Sequence, residues 1–261
     1  MVKLIACDLD GTLLLNGAQE LNPGTVDQIR KLLSQGRVFA AASGRQYPNL
    51  RRLFAGVEDD IAYICENGAL VIYKGEILEK HIIERAKGQE LLKMIMEKEG
   101  AEALLSGVNT CYIQPKDPAY EVHLRDVVKN QVTVVDDILK TQEPYLKISV
   151  YEKDGVEASR KYWEKKLAGK AAVAVSGREW LDTMPFGVHK GTALECLMRY
   201  LGASARETAA FGDNYNDLEM LKTAGLSFAM EKAPEEVKDC SRYVTSLVED
   251  TFAEISGGKY D

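Results

Sequence analysis

Short apolar runs alternate with amphipathic helical segments at both ends of the chain, and this alternation constrains the fold most. LIAC (4–7), VFAAA (38–42) and TAAFG (208–212) are uninterrupted runs of strand length. Strands that are buried on both faces of a parallel sheet read in this way. The alternation of such strands with helices therefore predicts an open α/β sheet with mostly parallel strands.

The segment 21–36 illustrates the helical part of this pattern. Its sequence is LNPGTVDQIRKLLSQG, in which apolar residues recur at helical spacing. Asn22 is a suitable capping residue, Pro23 suits the first helical position and Gly36 suits the end. We therefore expect a helix that begins directly after Asn22. A hairpin is expected further along the chain, with its turn at Lys74 and Gly75.

The middle of the chain follows a different pattern. Between about residues 84 and 186, pairs of short strands alternate with single helices. This pattern favours a compact α+β insert, in which helices cover one face of an antiparallel sheet. We therefore predict two domains: a core made of residues 1–83 and 187–261, and an inserted domain of residues 84–186.

Composition and charge exclude several classes of function. The chain has 261 residues and a formal net charge of −7, which argues against a nucleic-acid-binding protein. The N-terminal stretch lacks the pattern of a signal peptide, and no apolar run is long enough to span a membrane. The 5 cysteines are scattered, with no CxxC pair, so reduced thiols in a cytoplasmic protein are expected. An acidic protein that binds an anionic substrate must concentrate positive charge locally.

Polar residues follow the apolar strands at the points where each strand ends. Asp8 and Asp10 follow the first strand, Ser43–Arg45 follow the second, and Asp213–Asp217 follow a third, while Lys190 begins a helix. Ligands of open α/β sheets bind beyond the carboxyl ends of the strands. If these strands are parallel neighbours, all of these groups meet at one edge of the sheet.

These residue types suit phosphoryl transfer. The carboxylate of Asp8 can attack phosphorus, and the carboxyl of Asp10 can exchange protons with the leaving oxygen and with water. With Asp213 as a third acid, the pocket would need a cation, and an all-oxygen ligand set favours Mg²⁺. The groups expected to hold the phosphate are the Ser43 hydroxyl, the Gly44 backbone N–H, the Lys190 ammonium and the Asn216 amide.

Four motifs together resemble those of the haloacid dehalogenase-like superfamily. They are DLDGT (8–12), AASGR around Ser43, HKGTAL around Lys190 and GDNYND (212–217), in that order. The insert between the second and third motifs, the ENGAL segment and the chain length are similar to the Cof-type subfamily. This resemblance implies a Rossmann-like core with an inserted α+β cap of the C2B type.

The resemblance also implies roles for individual residues. Asp8 would be the nucleophile and a Mg²⁺ ligand, Asp10 the acid/base and a ligand through its backbone carbonyl, and Asp213 the remaining protein ligand. The phosphate would be held by the Leu9 backbone and by Ser43, Gly44, Lys190 and Asn216. Thr12 and Asp217 are expected around these groups, with Asp217 orienting Lys190 or a metal-bound water. From its place in the loop after a strand, Arg45 is either a surface arginine or a residue near these groups that contacts the phosphate or the substrate.

Two further positions have simpler interpretations. His189 stands where relatives more often carry Asp, Ser or Asn, and we expect it to be structural or exposed rather than catalytic. The ENGA segment (66–69) is interpreted as a turn after a core strand, in which Asn67 and Gly68 supply positive φ.

The function that these residues predict is hydrolysis of small phosphate monoesters, such as sugar phosphates or related phosphometabolites, with Mg²⁺ as cofactor. A phosphomutase would use the same nucleophile and return the phosphoryl group to another hydroxyl. A regulatory protein that binds a metabolite without turnover is a third possibility, against which the presence of Asp10 argues. The expected partner is a small phosphorylated metabolite, with neither nucleic acid nor membrane.

Overall fold

The computed structural model describes residues 1–260, which form two compact units. The first unit contains Met1–Arg45, Leu50–Glu79 and the chain from His189 onward. The second unit contains Gln46–Asn49 and Lys80–Val188. The predicted boundaries at residues 83/84 and 186/187 lie close to these limits, and the assignment of a catalytic core and a cap to the two units stays a prediction.

The secondary structure alternates along the chain. The strands, in chain order, are β1 (Leu4–Cys7), β2 (Val38–Ala42), β3 (Ala62–Cys65), β4 (Leu70–Tyr73), β5 (Glu76–Lys80), β6 (Glu102–Ser106), β7 (Cys111–Ile113), β8 (Val132–Val134), β9 (Lys147–Tyr151), β10 (Ala172–Val175), β11 (Trp180–Met184), β12 (Thr208–Gly212), β13 (Leu226–Met230) and β14 (Tyr243–Thr245). The helices are α1 (Thr25–Ser34), α2 (Tyr47–Leu53), α3 (Arg85–Glu97), α4 (Pro118–Val122), α5 (Arg160–Leu167), α6 (Lys190–Leu201), α7 (Leu218–Thr223), α8 (Glu235–Asp239) and α9 (Val248–Ser256). None of the helices within residues 1–260 has the length and apolar character that crossing a membrane requires.

The first unit is built on an open eight-stranded sheet. Its strand order is β14-β13-β12-β1-β2-β3-β4-β5. The six strands from β14 to β3 are parallel to one another, and β4 runs antiparallel to β3. The predicted mostly parallel α/β sheet is therefore confirmed. β1 lies in the middle of this sheet, between β12 and β2, which places its C-terminal end at the centre of one sheet edge.

The two faces of this sheet are packed differently. Small residues such as Ala40, Ala42 and Ala210 line one face, which packs against Leu194 and Leu197 of α6. Aromatic rings fill the opposite side, where Phe39, Phe54, Phe211, Phe228 and Phe252 contact one another. Because both faces are covered by apolar groups, the central strands carry few polar side chains before their ends.

Two local predictions have different outcomes. The expected hairpin turn is confirmed, because Lys74 and Gly75 both adopt positive φ, at 50° and 78°. The predicted start of the first helix is wrong. Gly24 precedes α1 in a left-handed conformation, with φ of 88°, so the helix begins at Thr25. The side chain of Asn22 donates instead to Glu249 Oε1, at 3.0 Å.

The second unit contains a separate six-stranded sheet. Its order is β10-β11-β9-β6-β7-β8, and its pairs are antiparallel except for β7 with β8. An apolar cluster packs α3 and α5 against this sheet through residues such as Leu92, Ile148 and Trp163. The fold-class prediction of an α+β insert within an α/β core is thus confirmed.

Candidate active site

The carboxyl ends of three neighbouring strands bring the predicted site residues together. Asp8 directly follows β1, Ser43 follows β2, and Asp213 follows β12. β1 pairs in parallel with both of the other strands, so all three residues lie along one edge of the sheet. This is the edge where ligands of open α/β sheets bind.

Lys190, the first residue of α6, is fully buried between two carboxylates. Its Nζ donates to Asp8 Oδ1 at 2.5 Å and to Asp217 Oδ1 at 2.7 Å. Burial alone would lower the pKa of Lys190, but the two carboxylates raise it above its usual value, so the ammonium stays protonated. The lysine thereby links the strand that carries Asp8 to the loop that carries Asp217.

Asp217 also organises the loop after β12. Its Oδ2 accepts hydrogen bonds from the backbone N–H groups of Asp213 at 3.0 Å and Asn214 at 3.1 Å. One carboxylate therefore holds both the lysine and the beginning of the 3₁₀ turn Tyr215–Asp217. The sequence had allowed Asp217 to orient Lys190 or a metal-bound water, and the structure places it on Lys190.

Three carboxylates converge in this cluster. Oxygen atoms of Asp8, Asp213 and Asp217 all lie within 4.8 Å of one another. Burial and the charge of Asp217 raise the pKa of Asp213 to about 6. Burial, followed by the charge of Asp217, also raises the pKa of Asp8, although Lys190 opposes the shift. Burial is the main cause of both shifts, and the charge of Asp217 adds to it.

The close approach of Asp213 to the loop after β1 depends on Gly11. This residue has φ of 94°, and a Cβ atom at this position would lie 2.1 Å from Asp213 Oδ2. Only glycine avoids that clash and accepts the backbone conformation. Thr12 Oγ1 donates to Asp213 Oδ1 at 3.3 Å, which fixes the carboxylate against the loop.

The donor set fits a hard divalent cation. The ligands available are carboxylate oxygens, which Mg²⁺ prefers. Asp8 Oδ2 is buried and has no hydrogen-bond donor among residues 1–260, so it lacks the partner that buried carboxylate oxygens require. Asp8, Asp213 and Asp217 would hold the ion. The carboxylate of Asp10 is not part of this cluster, and its predicted contribution through the backbone carbonyl stays a prediction.

Asp10 lies in a different environment from Asp8. Its carboxylate is 53% exposed and forms a two-pronged ion pair with Arg45, with Oδ1 at 2.6 Å from Nη2 and Oδ2 at 2.8 Å from Nε. Arg45 Nη2 also donates to Gln19 Oε1 at 3.3 Å. The sequence had left Arg45 open between a surface position and a contact with phosphate or substrate. In this structure its guanidinium, largely buried, binds Asp10.

The remaining predicted residues lie around the same edge. Leu9 is buried, and its carbonyl accepts from the N–H groups of Thr12 at 3.1 Å and Leu14 at 2.7 Å, which closes the loop. Ser43 is buried, and its Oγ accepts from the Arg45 N–H at 3.2 Å. Contacts of these groups with phosphate stay predictions.

Asn216 makes a contact that the sequence did not indicate. Its Nδ2 donates to Asn67 Oδ1 at 3.1 Å, and Asn67 belongs to the turn interpreted only as a structural element. The single local sign was the Asn-Gly pair itself, which indicates a turn but not the direction of the side chain.

His189 caps the helix that Lys190 begins. Its Nδ1 accepts from the Thr192 N–H at 3.2 Å, and its own N–H donates to Thr192 Oγ1 at 3.3 Å. This reciprocal arrangement is a capping box, in which histidine replaces the usual Ser, Thr or Asp. The expected structural position of His189 is thus confirmed.

Comparison with known proteins agrees with the fold and the motifs. The 5-amino-6-(5-phospho-D-ribitylamino)uracil phosphatase YbjI of Escherichia coli K12 is 28% identical over 243 residues, covering 93% of this chain and 90% of the relative. The crystal structure of SMU.1108c from Streptococcus mutans UA159 is 28% identical and has a TM-score of 0.87, covering 98% of this chain and 100% of that one. The subclass IIB sugar phosphatase BT4131 is 20% identical, with a TM-score of 0.81 and full coverage of both chains, and shows likeness of fold alone.

A family model also matches most of the chain. The model describes haloacid dehalogenase-like hydrolases, and it matches residues 5–251. The match includes all four of the motifs that carry the resemblance. The chain belongs to the haloacid dehalogenase-like hydrolase family.

Proposed function

We propose that this protein is a Mg²⁺-dependent phosphatase that hydrolyses small phosphate monoesters through an aspartyl-phosphate intermediate. The observation that carries the proposal is the state of Asp8 at the end of the central strand. Lys190 holds its Oδ1 at 2.5 Å, while Oδ2 is buried without a donor among residues 1–260. An oriented carboxylate beside one cation and two further acids suits nucleophilic attack on a phosphoryl group.

In the first step, a carboxylate oxygen of Asp8 forms a bond to phosphorus, and the bond between phosphorus and the ester oxygen breaks. Asp10 donates a proton to that leaving oxygen. In the second step, water attacks the phosphorus of the aspartyl-phosphate, Asp10 accepts the proton, and the carboxylate of Asp8 is regenerated. Since Asp10 is paired with Arg45 in this structure, its proton transfer requires the carboxylate to leave that pair.

The other residues of the site supply charge and orientation. When bound, Mg²⁺ would offset the negative charge of the carboxylates and of the phosphoryl group. Ser43, the Gly44 N–H, the Leu9 N–H and Asn216 are proposed to bind the phosphoryl oxygens beside Lys190. Such positioning and charge neutralisation are what phosphoryl transfer mainly requires of a protein.

The substrate class is proposed as sugar phosphates or related phosphorylated metabolites. Two relatives support this substrate class. YbjI is a phosphatase of a phosphorylated ribitylamino-uracil. A relative from Citrobacter koseri, 26% identical over 235 residues, is an HMP-PP phosphatase. The net charge of −7 favours a small substrate over a nucleic acid.

The proposal is tested by a phosphate-release screen across phosphorylated metabolites with Mg²⁺, in which Asp8→Asn serves as the blank. This variant keeps the shape of the side chain and removes the nucleophile, so kcat should fall on the order of 10³-fold or more. Asp27→Asn is the matched control, because Asp27 is 79% exposed on α1 and should leave kcat unchanged.

Two results would contradict the proposal. Full turnover by a folded Asp8→Asn variant would exclude the covalent mechanism. Transfer of the phosphoryl group to another hydroxyl of the substrate, with no release of inorganic phosphate, would indicate a phosphomutase instead.

A further inference from the structure

The turn Glu66–Gly68, which follows β3, has an unusual backbone. Its three residues all have positive φ, at 50°, 56° and 104°. The left-handed region is unfavourable for residues with a side chain, and such strain persists only where the surroundings enforce it. A turn without left-handed residues would connect β3 to β4 without this backbone strain. Contacts between the turn and its surroundings must therefore stabilise the strained conformation.

Backbone hydrogen bonds attach the turn to the loop after β2. The Asn67 N–H donates to the Ser43 carbonyl at 3.0 Å, and the Glu66 N–H donates to the Arg45 carbonyl at 3.1 Å. Gly44 lies between these two anchors, and a Cβ atom on it would approach Asn67 Oδ1 to 3.1 Å. The turn therefore packs directly on the loop that presents Ser43 and Gly44.

The same turn contacts the beginning of α6. A Cβ atom on Gly68 would lie 2.5 Å from the His189 carbonyl oxygen and 3.2 Å from the Lys190 nitrogen. Only glycine permits this approach, which also requires its positive φ. The turn is thus in contact with two of the segments that supply the proposed phosphate ligands.

The Asn67 side chain reaches a third segment. Its amide is buried, and its Oδ1 accepts from Asn216 Nδ2 at 3.1 Å. A primary amide can rotate by 180° and exchange its donor and acceptor ends, so the hydrogen bond between Asn67 and Asn216 couples the orientations of the two amides. With one N–H of Asn216 engaged by Asn67, the second N–H of the same nitrogen remains as a donor with a defined direction.

We infer that Asn67 is a positioning residue of the phosphate site, which acts by fixing the amide of Asn216. This inference rests on the proposed function, because it concerns how the phosphoryl oxygens are bound. The strained turn is then the means by which Asn67 reaches Asn216 while its backbone stays attached to Ser43.

A double-mutant cycle between Asn67 and Asn216 tests the inference. Asn67→Gly keeps a residue that accepts positive φ and removes the amide. Loss of one directed hydrogen bond to a charged group should lower kcat/KM by about tenfold, mainly through KM. In an Asn216→Ala background, the same substitution should change kcat/KM by less than about twofold, because the two residues act as one unit.

Two further variants separate positioning from folding. Asn16→Gly is the matched control, since Asn16 has φ of 55° in another turn, and it should leave kcat/KM unchanged. Asn67→Asp keeps an acceptor oxygen and a residue tolerant of the left-handed region. In the Asn67→Asp background, Asn216→Ala should lower kcat/KM by about tenfold, whatever effect the charge of the new aspartate has by itself. Thermal unfolding of each variant is measured in parallel.

The outcomes are distinguishable. Equal losses of kcat/KM from Asn67→Gly in both backgrounds would assign Asn67 to general stability and would overturn this inference but not the proposed function. An unchanged kcat/KM for Asn67→Gly in the otherwise wild-type protein would overturn it in the same way. A wild-type protein that releases no phosphate from the metabolite panel and does not bind orthovanadate with Mg²⁺ would overturn the proposed function, and the inference with it.

Discussion

Each unit of the molecule buries a lysine beside aspartate, but the balance of charge differs. In the first unit, Lys190 lies between Asp8 and Asp217, and Asp213 completes a group of three carboxylates. In the second unit, Lys147 of β9 meets Asp182 of β11 at 3.1 Å, with 9% and 1% of their side chains exposed. A neutral donor completes the second cluster, since Ser149 Oγ donates to Asp182 at 2.6 Å.

This difference separates a structural pair from a binding site. A buried carboxylate is stabilised by a cation and by hydrogen bonds, and both are provided for Asp182 by its own sheet. In the first unit one ammonium serves three carboxylates, and Asp8 Oδ2 has no donor among residues 1–260. An excess of buried negative charge is costly unless something else enters. The charge balance therefore supports the proposal that a cation completes the first cluster and not the second.

The largest effect on stability is expected from removing the cation of the balanced pair. Lys147→Met leaves Asp182 buried without its ammonium, which should lower the free energy of unfolding by about 3–5 kcal/mol. The double variant Lys147→Met/Asp182→Leu should regain most of this loss. Urea unfolding followed by tryptophan fluorescence reports on this unit, because both tryptophans, Trp163 and Trp180, lie in it.

A matched control comes from an exposed pair in the same unit. Lys140 lies 3.2 Å from Asp137 with 82% of its side chain exposed, so Lys140→Met should cost less than about 1 kcal/mol. Equal losses from the two lysine variants would show that burial does not set the value of the Lys147 pair.

In the first unit, where acids are in excess, removing a charged side chain is expected to increase the free energy of unfolding and not to lower it. Asp213→Asn removes one of three mutually repelling carboxylates, so in EDTA the free energy of unfolding should rise by about 1 kcal/mol. For a chain of this size, that is an increase of about 2–4 °C in Tm. Mg²⁺ should raise the Tm of the wild type and raise that of the variant much less, because a ligand of the ion is lost.

Calorimetric scans with EDTA and with Mg²⁺ give both quantities. The control is Asp60→Asn, an exposed acid of the same unit, for which both Tm values should follow the wild type. A lower Tm for Asp213→Asn in EDTA, or an undiminished response to Mg²⁺, would contradict the assignment of excess charge to a metal site.

Much of the site could be predicted from the sequence because the buried strands are apolar along their length, so that polar residues mark the strand ends. Runs such as LIAC and VFAAA are apolar at every residue, so these strands are covered on both faces and their first polar residues fall at the strand ends. Parallel pairing then brings Asp8, Ser43 and Asp213 to one edge. No tertiary detail was needed for this step.

Choices of side-chain partner could not be predicted in this way. Asp10 binds Arg45, 35 residues away, and Asn22 binds Glu249 instead of capping α1. Asn67 was correctly placed in a turn with positive φ, but its contact with Asn216 spans 149 residues. Residue types and spacing predict backbone conformation, whereas such contacts depend on rotamers that tertiary packing selects.

An effect no larger than that of Asp213→Asn, and of opposite sign, is expected at Glu152 of the second unit, a carboxylate that local groups satisfy. It accepts from Trp163 Nε1 at 2.8 Å and Ser159 Oγ at 2.5 Å, and it lies 3.0 Å from Lys98 Nζ. Burial alone would raise the pKa of Glu152, but hydrogen bonds from Ser159, Trp163 and Lys98 outweigh burial and lower it. Folding therefore favours its charged form, without any need for an added cation.

The sign of the pH dependence follows from this shift. A carboxyl with a lowered pKa in the folded state contributes full stability above its unfolded pKa of about 4.3, and the contribution is lost as pH falls through the lowered value. Glu152→Gln should cost about 1 kcal/mol at pH 7, and its difference from the wild type should shrink below about pH 4.

Urea unfolding between pH 7 and pH 3, with and without Mg²⁺, measures this difference. Glu157→Gln is the control, because Glu157 is 83% exposed, and its difference from the wild type should stay small throughout. A difference at Glu152 that is independent of pH would show that packing, not charge, accounts for its contribution. If Mg²⁺ changed the difference in free energy of unfolding between Glu152→Gln and the wild type, the distinction between the two units would be lost. Only the cluster of Asp8, Asp213 and Asp217 is expected to need a cation.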